Sequence, residues 1–398
     1  MRSWTRSSPP RGRFLRDVFV CSLGAYGGPE SHFGVFVSRL VQRRAYLTEE
    51  ELIELLALCT MLPGPTSTQT IVSVGYRMGG PVLALLTLLV WALPVLALMT
   101  GASFLYAWLD SRGLSGSVLR FIAPMAVGFI VYAAVRIGRK VVSDAMTCIL
   151  FLAAGAVTYF VRDPWVFPIV LVAGGLVAIA VGREEGMWRA VSLRPPWIYL
   201  ALFAVFALGA VVAASLTTER LVQLFESFYR YGYLVFGGGQ VVVPVMQSEL
   251  VDVRNYITNQ EFLAGYGLVQ GLPGPMFSFA AYAGGMAARE AGPAYQLFAA
   301  VIGGVGIFLP GLLLIYFVYP VWGGVRTIRA VRIALRGVNA VAGGLIAVSA
   351  VILAQAAGLT VLTPAIAGAT ALILMFTKIP APLLVAAALL AGVLIGAT

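Results

Sequence analysis

The sequence predicts an all-α polytopic membrane protein made of two inverted-topology repeats with broken or re-entrant helices. Three features lead there: long apolar runs, a self-similarity at fixed spacing, and basic residues confined to the stretches between runs.

Of the 398 residues, 60% are hydrophobic and 11% are charged, against roughly 25% charged in an ordinary soluble domain. Stretches such as Pro81 to Trp108, Trp197 to Leu216 and Gln296 to Tyr319 reach the ~20 residues that cross ~30 Å of hydrocarbon. Ala145 to Val161 and Pro164 to Gly182 come close to it. A formal charge of +10 would suit nucleic acid on one soluble face, but here the basic residues lie between apolar runs. Membrane topology accounts for them, and no nucleic-acid partner is expected. The basic N-terminus is followed by a short, Gly-broken apolar stretch without a small-residue cleavage site, so no cleaved signal peptide is expected. Three widely spaced cysteines and one histidine match neither a disulfide framework, a metal site nor a catalytic triad. No nucleotide loop is present either, and the chain reads as a non-enzyme without a cofactor.

Laid over itself at an offset of 210, the chain matches Gly27-Gly28 with Gly237-Gly238 and Tyr46-Leu47-Thr48 with Tyr256-Ile257-Thr258. Leu62-Pro63-Gly64-Pro65 falls on Leu272-Pro273-Gly274-Pro275, and Pro94 falls opposite Pro310 after a small insertion. Residues 1–14 form a cytoplasmic tail, 15–182 the first repeat, 183–218 a linker with one extra transmembrane helix, and 219–398 the second repeat. Each repeat has two weak, Gly/Pro-broken segments and four firmer ones. The weak ones are 15–40 and 52–76, then 225–250 and 262–287. The spare helix 196–216 makes the number of crossings between repeat starts odd, which turns the second repeat over. With the N-terminus inside, Arg136-Arg139-Lys140, Arg183-Arg189-Arg194 and Arg326-Arg329-Arg332-Arg336 all fall on the cytoplasmic side. Arg39, Arg43 and Arg44 join them only if the weak segments are re-entrant hairpins; full crossing puts them outside. Both arrangements keep the inversion.

Pro-Gly-Pro inside an apolar segment breaks a helix at ~3 kcal/mol or more per interior proline, and unpaired backbone groups in a bilayer cost several kcal/mol each. Such breaks persist where they line a cavity, and a helix that restarts after one turns free N–H groups and its positive dipole end inward, towards an anion. Prolines and glycines also serve as kinks and packing points in membrane helices, but the matched pair of breaks favours a ligand site. Thr66, Ser67, Thr68 and Gln69 add donors where the second repeat has Met276, Phe277, Ser278 and Phe279, so the first half carries the richer polar face. His32 follows the Gly27-Gly28-Pro29 break and is a further ligand candidate. Arg39, Arg43, Arg44 and Arg254 are candidates for drawing in a dianion. Thr48-x-x-Glu51 and Thr258-x-x-Glu261 read as capping boxes.

Gly-Gly-Pro-x-x-His at 27–32, Leu-Ala-Leu-Cys-x-x-Leu-Pro-Gly-Pro-Thr-Ser-Thr-Gln at 56–69, Phe-Gly-Gly-Gly at 236–239 and Gln-x-Leu-Pro-Gly-Pro at 270–275 resemble the chromate ion transporter family, in its long two-domain form. The resemblance covers nearly the whole chain. It implies a secondary transporter in the cell (inner) membrane that exports chromate and confers chromate resistance, driven by the membrane or proton gradient. The implied binding residues are Gly27, Gly28, Pro63, Gly64, Pro65, Thr66, Ser67, Gln69, Gly237, Gly238, Gln270, Pro273, Gly274 and Pro275, with Arg43 and Arg44 more loosely. Two positions depart from the family pattern: Tyr26 stands for Phe, and Thr60 for a Gln that would otherwise match Gln270. Sulfate or another tetrahedral oxyanion is the nearest alternative substrate, and a channel the alternative mechanism. Protons as coupling ion and a homodimer are further expectations, with the lipid bilayer as the surrounding partner.

Overall fold

The computed structural model describes residues 10–161, 163, 165–182, 194–236, 242–326, 328–358 and 361–396, and among these it contains helices and no strand. The first repeat runs α1 (Arg11–Gly24), α2 (Pro29–Phe36), α3 (Glu49–Met61), α4 (Thr66–Ser111), a one-turn α5 (Ser115–Val118), α6 (Ile122–Val141), α7 (Ala145–Phe160) and α8 (Val166–Val181). α9 (Trp197–Leu216) stands between the repeats. The second repeat runs α10 (Arg220–Leu234), α11 (Val242–Gln247), α12 (Asn259–Gln270), α13 (Phe279–Ala287), α14 (Pro293–Val318), a one-turn α15 (Trp322–Val325), α16 (Arg329–Ala356), α17 (Leu362–Phe376) and α18 (Ala381–Gly396). Among the described residues, five stretches are long and apolar enough to cross a bilayer: α4, α6, α9, α16, and α14 with its extension to Val325. The chain is a multi-pass membrane protein, and α9 shows how it meets lipid: Val205, Leu208 and Val212 face outward.

The weak segments are hairpins. Past the tip at Ala25–Gly28, α2 continues as widened π turns (Val37–Arg43) that return along α1. Buried Asp17 of α1 closes the pair, accepting from Arg39 at 2.6 Å, Arg44 at 2.9 Å and the Tyr46 hydroxyl at 2.7 Å. α3 and the start of α4 make the second hairpin, with Leu62–Pro65 at its tip and an Arg77–Glu51 ion pair across its mouth. The re-entrant alternative for 15–40 and 52–76 is therefore the one the fold adopts. The mouth of α3 is fixed by a Thr48–Glu51 capping box, repeated by Thr258–Glu261 on α12, as the spacing predicts. α4 then breaks at Gly80, whose φ of 72° suits glycine. It resumes at Pro81 for about 31 residues, ~46 Å at 1.5 Å each.

The second repeat copies this plan. Its π turns lie at Ser248–Val253, left-handed Asn255 answers Ala45, and an Arg289–Glu261 pair at 2.7 Å answers Arg77–Glu51. Its hairpin clasp is built with the acid on the other arm. Glu249, in the returning arm, takes Arg230 at 2.8 Å, the Tyr231 and Ser227 hydroxyls at 2.8 Å each, and Arg254 at 3.0 Å.

The two sets of tips meet. The Gly64 N–H donates to the Val235 carbonyl at 2.8 Å, and the Gly274 N–H donates to the Ala25 carbonyl at 2.7 Å. These bonds are each other's image under the 210-residue offset, the reciprocity of a two-fold relation. The long helices fix the relative sense of the repeats. Tyr316, late in α14, bonds the Pro81 carbonyl, while Gln296, early in α14, lies 3.3 Å from Ser103, late in α4. α4 and α14 are thus antiparallel, and the hairpin mouths at Arg77 and Arg289 sit at opposite ends of the pair, ~33 Å apart along the helix. Small residues let helices of different repeats touch backbone to backbone: a Cβ on Gly344 would stand 2.1 Å from the Phe151 carbonyl, and one on Gly337 equally close to that of Gly174.

In a Cys148→Ser background, cysteines replacing exposed Glu50 and Glu290 should react with a membrane-impermeant maleimide from opposite faces of the membrane; labelling of both from one face would contradict the antiparallel frame. Gly344→Ala should cost about 1–3 kcal/mol through overpacking and lower the melting temperature in detergent. Gly368→Ala, where a new Cβ meets nothing within 4 Å, should not.

Candidate anion cavity

A cavity of 590 Å³ lies between the hairpins and α6, α12 and α16. Its inner end is formed where the tips meet, by Gly27, Gly28, His32, Thr66, Gln270 and Gly274. Its other end is lined by Arg136, Lys140, Ser143 and Arg336. The passage from buried His32 to exposed Lys140 and Arg336 makes it a cleft open on one side. That side is the mouth of the first-repeat hairpins, because Arg326, just ahead of α16, pairs with Glu54 of α3. A cleft lined by one sign of charge concentrates ions of the other.

The inner end is rich in donors because helices restart there. α2 begins after Gly28 and α4 after Pro65, neither with a side-chain cap, so first-turn N–H groups and the positive dipole end remain available. The second repeat differs: after Pro275 the chain resumes as a 3-10 turn of Met276, Phe277 and Ser278. After Pro65 the first repeat restarts as an α-helix that opens on Thr66, Ser67, Thr68 and Gln69, where the second has the apolar Met276, Phe277 and Phe279 around Ser278.

Six of the sequence-selected residues line the cavity: Gly27, Gly28, His32, Thr66, Gln270 and Gly274. Thr60, the counterpart of Gln270, lines it as well, but its hydroxyl donates to the Ala57 carbonyl at 2.8 Å. The others build the wall. Gly64 spends its N–H on Val235. The Gln69 amide donates to the Pro63 carbonyl at 2.8 Å and fills the space a Cβ on Gly64 would need, 2.7 Å away. Ser67 stands behind His32, its hydroxyl 3.0 Å from Nδ1. Pro63, Pro65, Pro273 and Pro275 shape the two tips. Gly237 and Gly238 lie outside the described residues. Arg39, Arg44 and Arg254 are placed at the hairpin mouths in the clasps on Asp17 and Glu249, and Arg43 is exposed at the end of the first π turn.

The cations at the cavity are Arg136, Lys140 and Arg336, which the sequence shows only as topology signals. Tyr132 lies one turn before Arg136, and Asn339 one turn after Arg336; both line the cavity. The i, i+4 and i, i+3 spacings on otherwise apolar helices were the readable sign. Arg336 is held by Asp144, which also caps α7. The Thr147 backbone N–H and hydroxyl hold the Asp144 carboxyl below its ordinary range, so it stays charged into mildly acidic solution.

Beneath this cavity the second repeat has a counterpart. Val242, Met246, Tyr266, Met276, Phe277 and Phe279, which match His32, Phe36, Leu56, Thr66, Ser67 and Gln69 at the same offset, surround a void of only 10 Å³.

Two segments, 13–180 and 222–393, match the model of the family described as chromate transporter. A chromate transport protein of Pseudomonas aeruginosa is 29% identical over 351 residues, 86% of this chain and 80% of its own length. One from Cupriavidus metallidurans is 27% identical over 376 residues, covering 92% of this chain and 88% of the other. An uncharacterized transporter of Methanocaldococcus jannaschii is 20% identical over 329 residues, 81% and 79% of the two chains. No solved structure matches. With both repeats matched in register with the hairpins, tips and crossing helices described above, the chain belongs to the chromate transporter family.

Proposed function

We propose that the protein is a secondary transporter that exports chromate across the cytoplasmic membrane by alternating access, and so confers chromate resistance. The reading is carried by the cleft with cations at its open end and uncapped helix starts at its closed end, a form that suits a tetrahedral dianion. The basic clusters around Arg136 and Arg326 assign the open side to the cytoplasm under the positive-inside rule. The state described is then the one open to the cytoplasm, with the anion entering past Arg136, Lys140 and Arg336. On the far side the tips and the apolar contacts around Val242 and Phe277 close the path, which favours a carrier over a channel. Backbone N–H groups respond to charge and shape, so sulfate is the natural competitor. A proton or membrane-potential gradient supplies the driving force, and no step requires a cofactor.

Inverted vesicles should accumulate labelled chromate, lose that uptake with an uncoupler, and show competition by unlabelled sulfate. Uptake indifferent to the gradient would remove the secondary-transport reading. Arg136→Gln should raise the half-saturating chromate concentration about fivefold at low ionic strength, the order of one ~1 kcal/mol charge interaction, and less in high salt as screening sets in.

A further inference from the structure

His32 is the single histidine of the chain. It is 2% exposed and lines the cavity. Its Nδ1 lies 3.0 Å from the Ser67 hydroxyl, while Nε2 has no hydrogen-bond partner. Among the described residues the imidazole is the one side-chain partner of that hydroxyl. In the tautomer protonated at Nε2, the Ser67 hydroxyl donates to Nδ1 and the ring N–H sits on Nε2. The Ala25 carbonyl, which accepts the Gly274 N–H at 2.7 Å, also lies beside the ring as a backbone acceptor. Trp91 packs edge-on against the imidazole at 5.5 Å and is itself pinned by its indole N–H to the Thr68 hydroxyl at 3.1 Å. The ring is thus oriented from two sides, and among the described residues no protein group in hydrogen-bond geometry takes up Nε2. Leaving a buried donor unpaired is costly, and in a cleft lined with cations the acceptor it lacks is one an anion provides.

The second repeat supplies the comparison. At the offset positions Val242 replaces His32, Phe277 replaces Ser67, and Met276 replaces Thr66. Ile307 takes the place of Trp91, and the space between these residues is a 10 Å³ void. Two-fold repetition would allow two equivalent sites; the side chains furnish one.

We propose that the anion site is one-sided. The Nε2–H of His32, with its tautomer set by Ser67, is the side-chain donor that orients a tetrahedral oxyanion at the floor of the cavity, and the matching position in the second repeat is an apolar closure. This rests on the oxyanion-transport reading above. Ser67 acts as a positioning residue, through the imidazole. A lone histidine makes the test direct: in protein purified through a histidine-free tag, reconstituted and labelled with 15N at histidine, the imidazole nitrogens belong to His32 alone. The expected spectrum is that of the Nε2-protonated tautomer, with the Nε2 resonance moving as chromate or sulfate is added. Ser67→Ala should mix the tautomers. His32→Ala should weaken apparent chromate affinity about tenfold or more, the scale of a lost hydrogen bond to a charged group. His32→Gln, with an amide nitrogen near the Nε2 position, should recover part of that loss. An imidazole spectrum blind to the anion, or Nδ1 carrying the proton in the wild type, would overturn the proposal even if chromate transport persisted. Absence of chromate transport by the wild-type protein would instead remove the functional reading on which it rests.

Discussion

A backbone N–H or carbonyl without a partner costs several kcal/mol in hydrocarbon, and this fold places interrupted segments near the middle of its bundle. The two bonds from Gly64 to Val235 and from Gly274 to Ala25 are the constraint on which the arrangement depends. Each takes a donor exposed by Pro-Gly-Pro in one repeat and satisfies it with a carbonyl exposed by the Gly-rich break of the other. Neither repeat can satisfy its own tips in this way, so the halves are bound at the depth where isolation would be most costly. Donors and dipole ends left over after that exchange are the ones facing the cavity.

Much of this was legible in the sequence. Proline and glycine declare a helix break without reference to any partner, and their recurrence at one offset exposed the repeats. The capping boxes were readable because Thr48 to Glu51 and Thr258 to Glu261 are purely local. Hairpin geometry was harder: a broken apolar segment can cross or return, and what decides is a contact between distant residues, Asp17 with Arg39 and Arg44 or Glu51 with Arg77. The same limit governs the site. Gly27, Gly28, Thr66 and Gly274 line the cavity at the backbone breaks, which is the feature that singled them out in the sequence. Arg136, Lys140 and Arg336 were not, because a basic cluster at a helix end looks the same whether it meets a phospholipid headgroup, bulk water or a cleft. Only the packing of α6 and α16 against the hairpins separates those cases.

The repeats share a backbone and differ in side chains, and the difference divides their labour. Around the first-repeat tip, His32, Ser67, Thr68 and Trp91 form a polar, mutually oriented wall. Around the second, Val242, Met276, Phe277 and Ile307 pack into contact. Symmetry of the backbone provides two related ways of closing the bundle, whereas asymmetry of the lining leaves one place for charge. For the carrier proposed above, such a division would keep a single guest position while the barriers change sides.

Each hairpin has its own charged clasp. In the first repeat the carboxylate, Asp17, rides on the outgoing arm and the guanidinium groups on the returning one. In the second, Glu249 sits on the returning arm and Arg230 on the outgoing arm. Each second-repeat arm also carries the opposite sign, Glu226 beside Arg230 and Arg254 beside Glu249, so net sign does not set one arm apart from the other. In each clasp the ion pairs that cross between arms converge on one carboxylate. Neutralising Asp17 or Glu249 would remove the charged ties of one hairpin and leave those of the other intact.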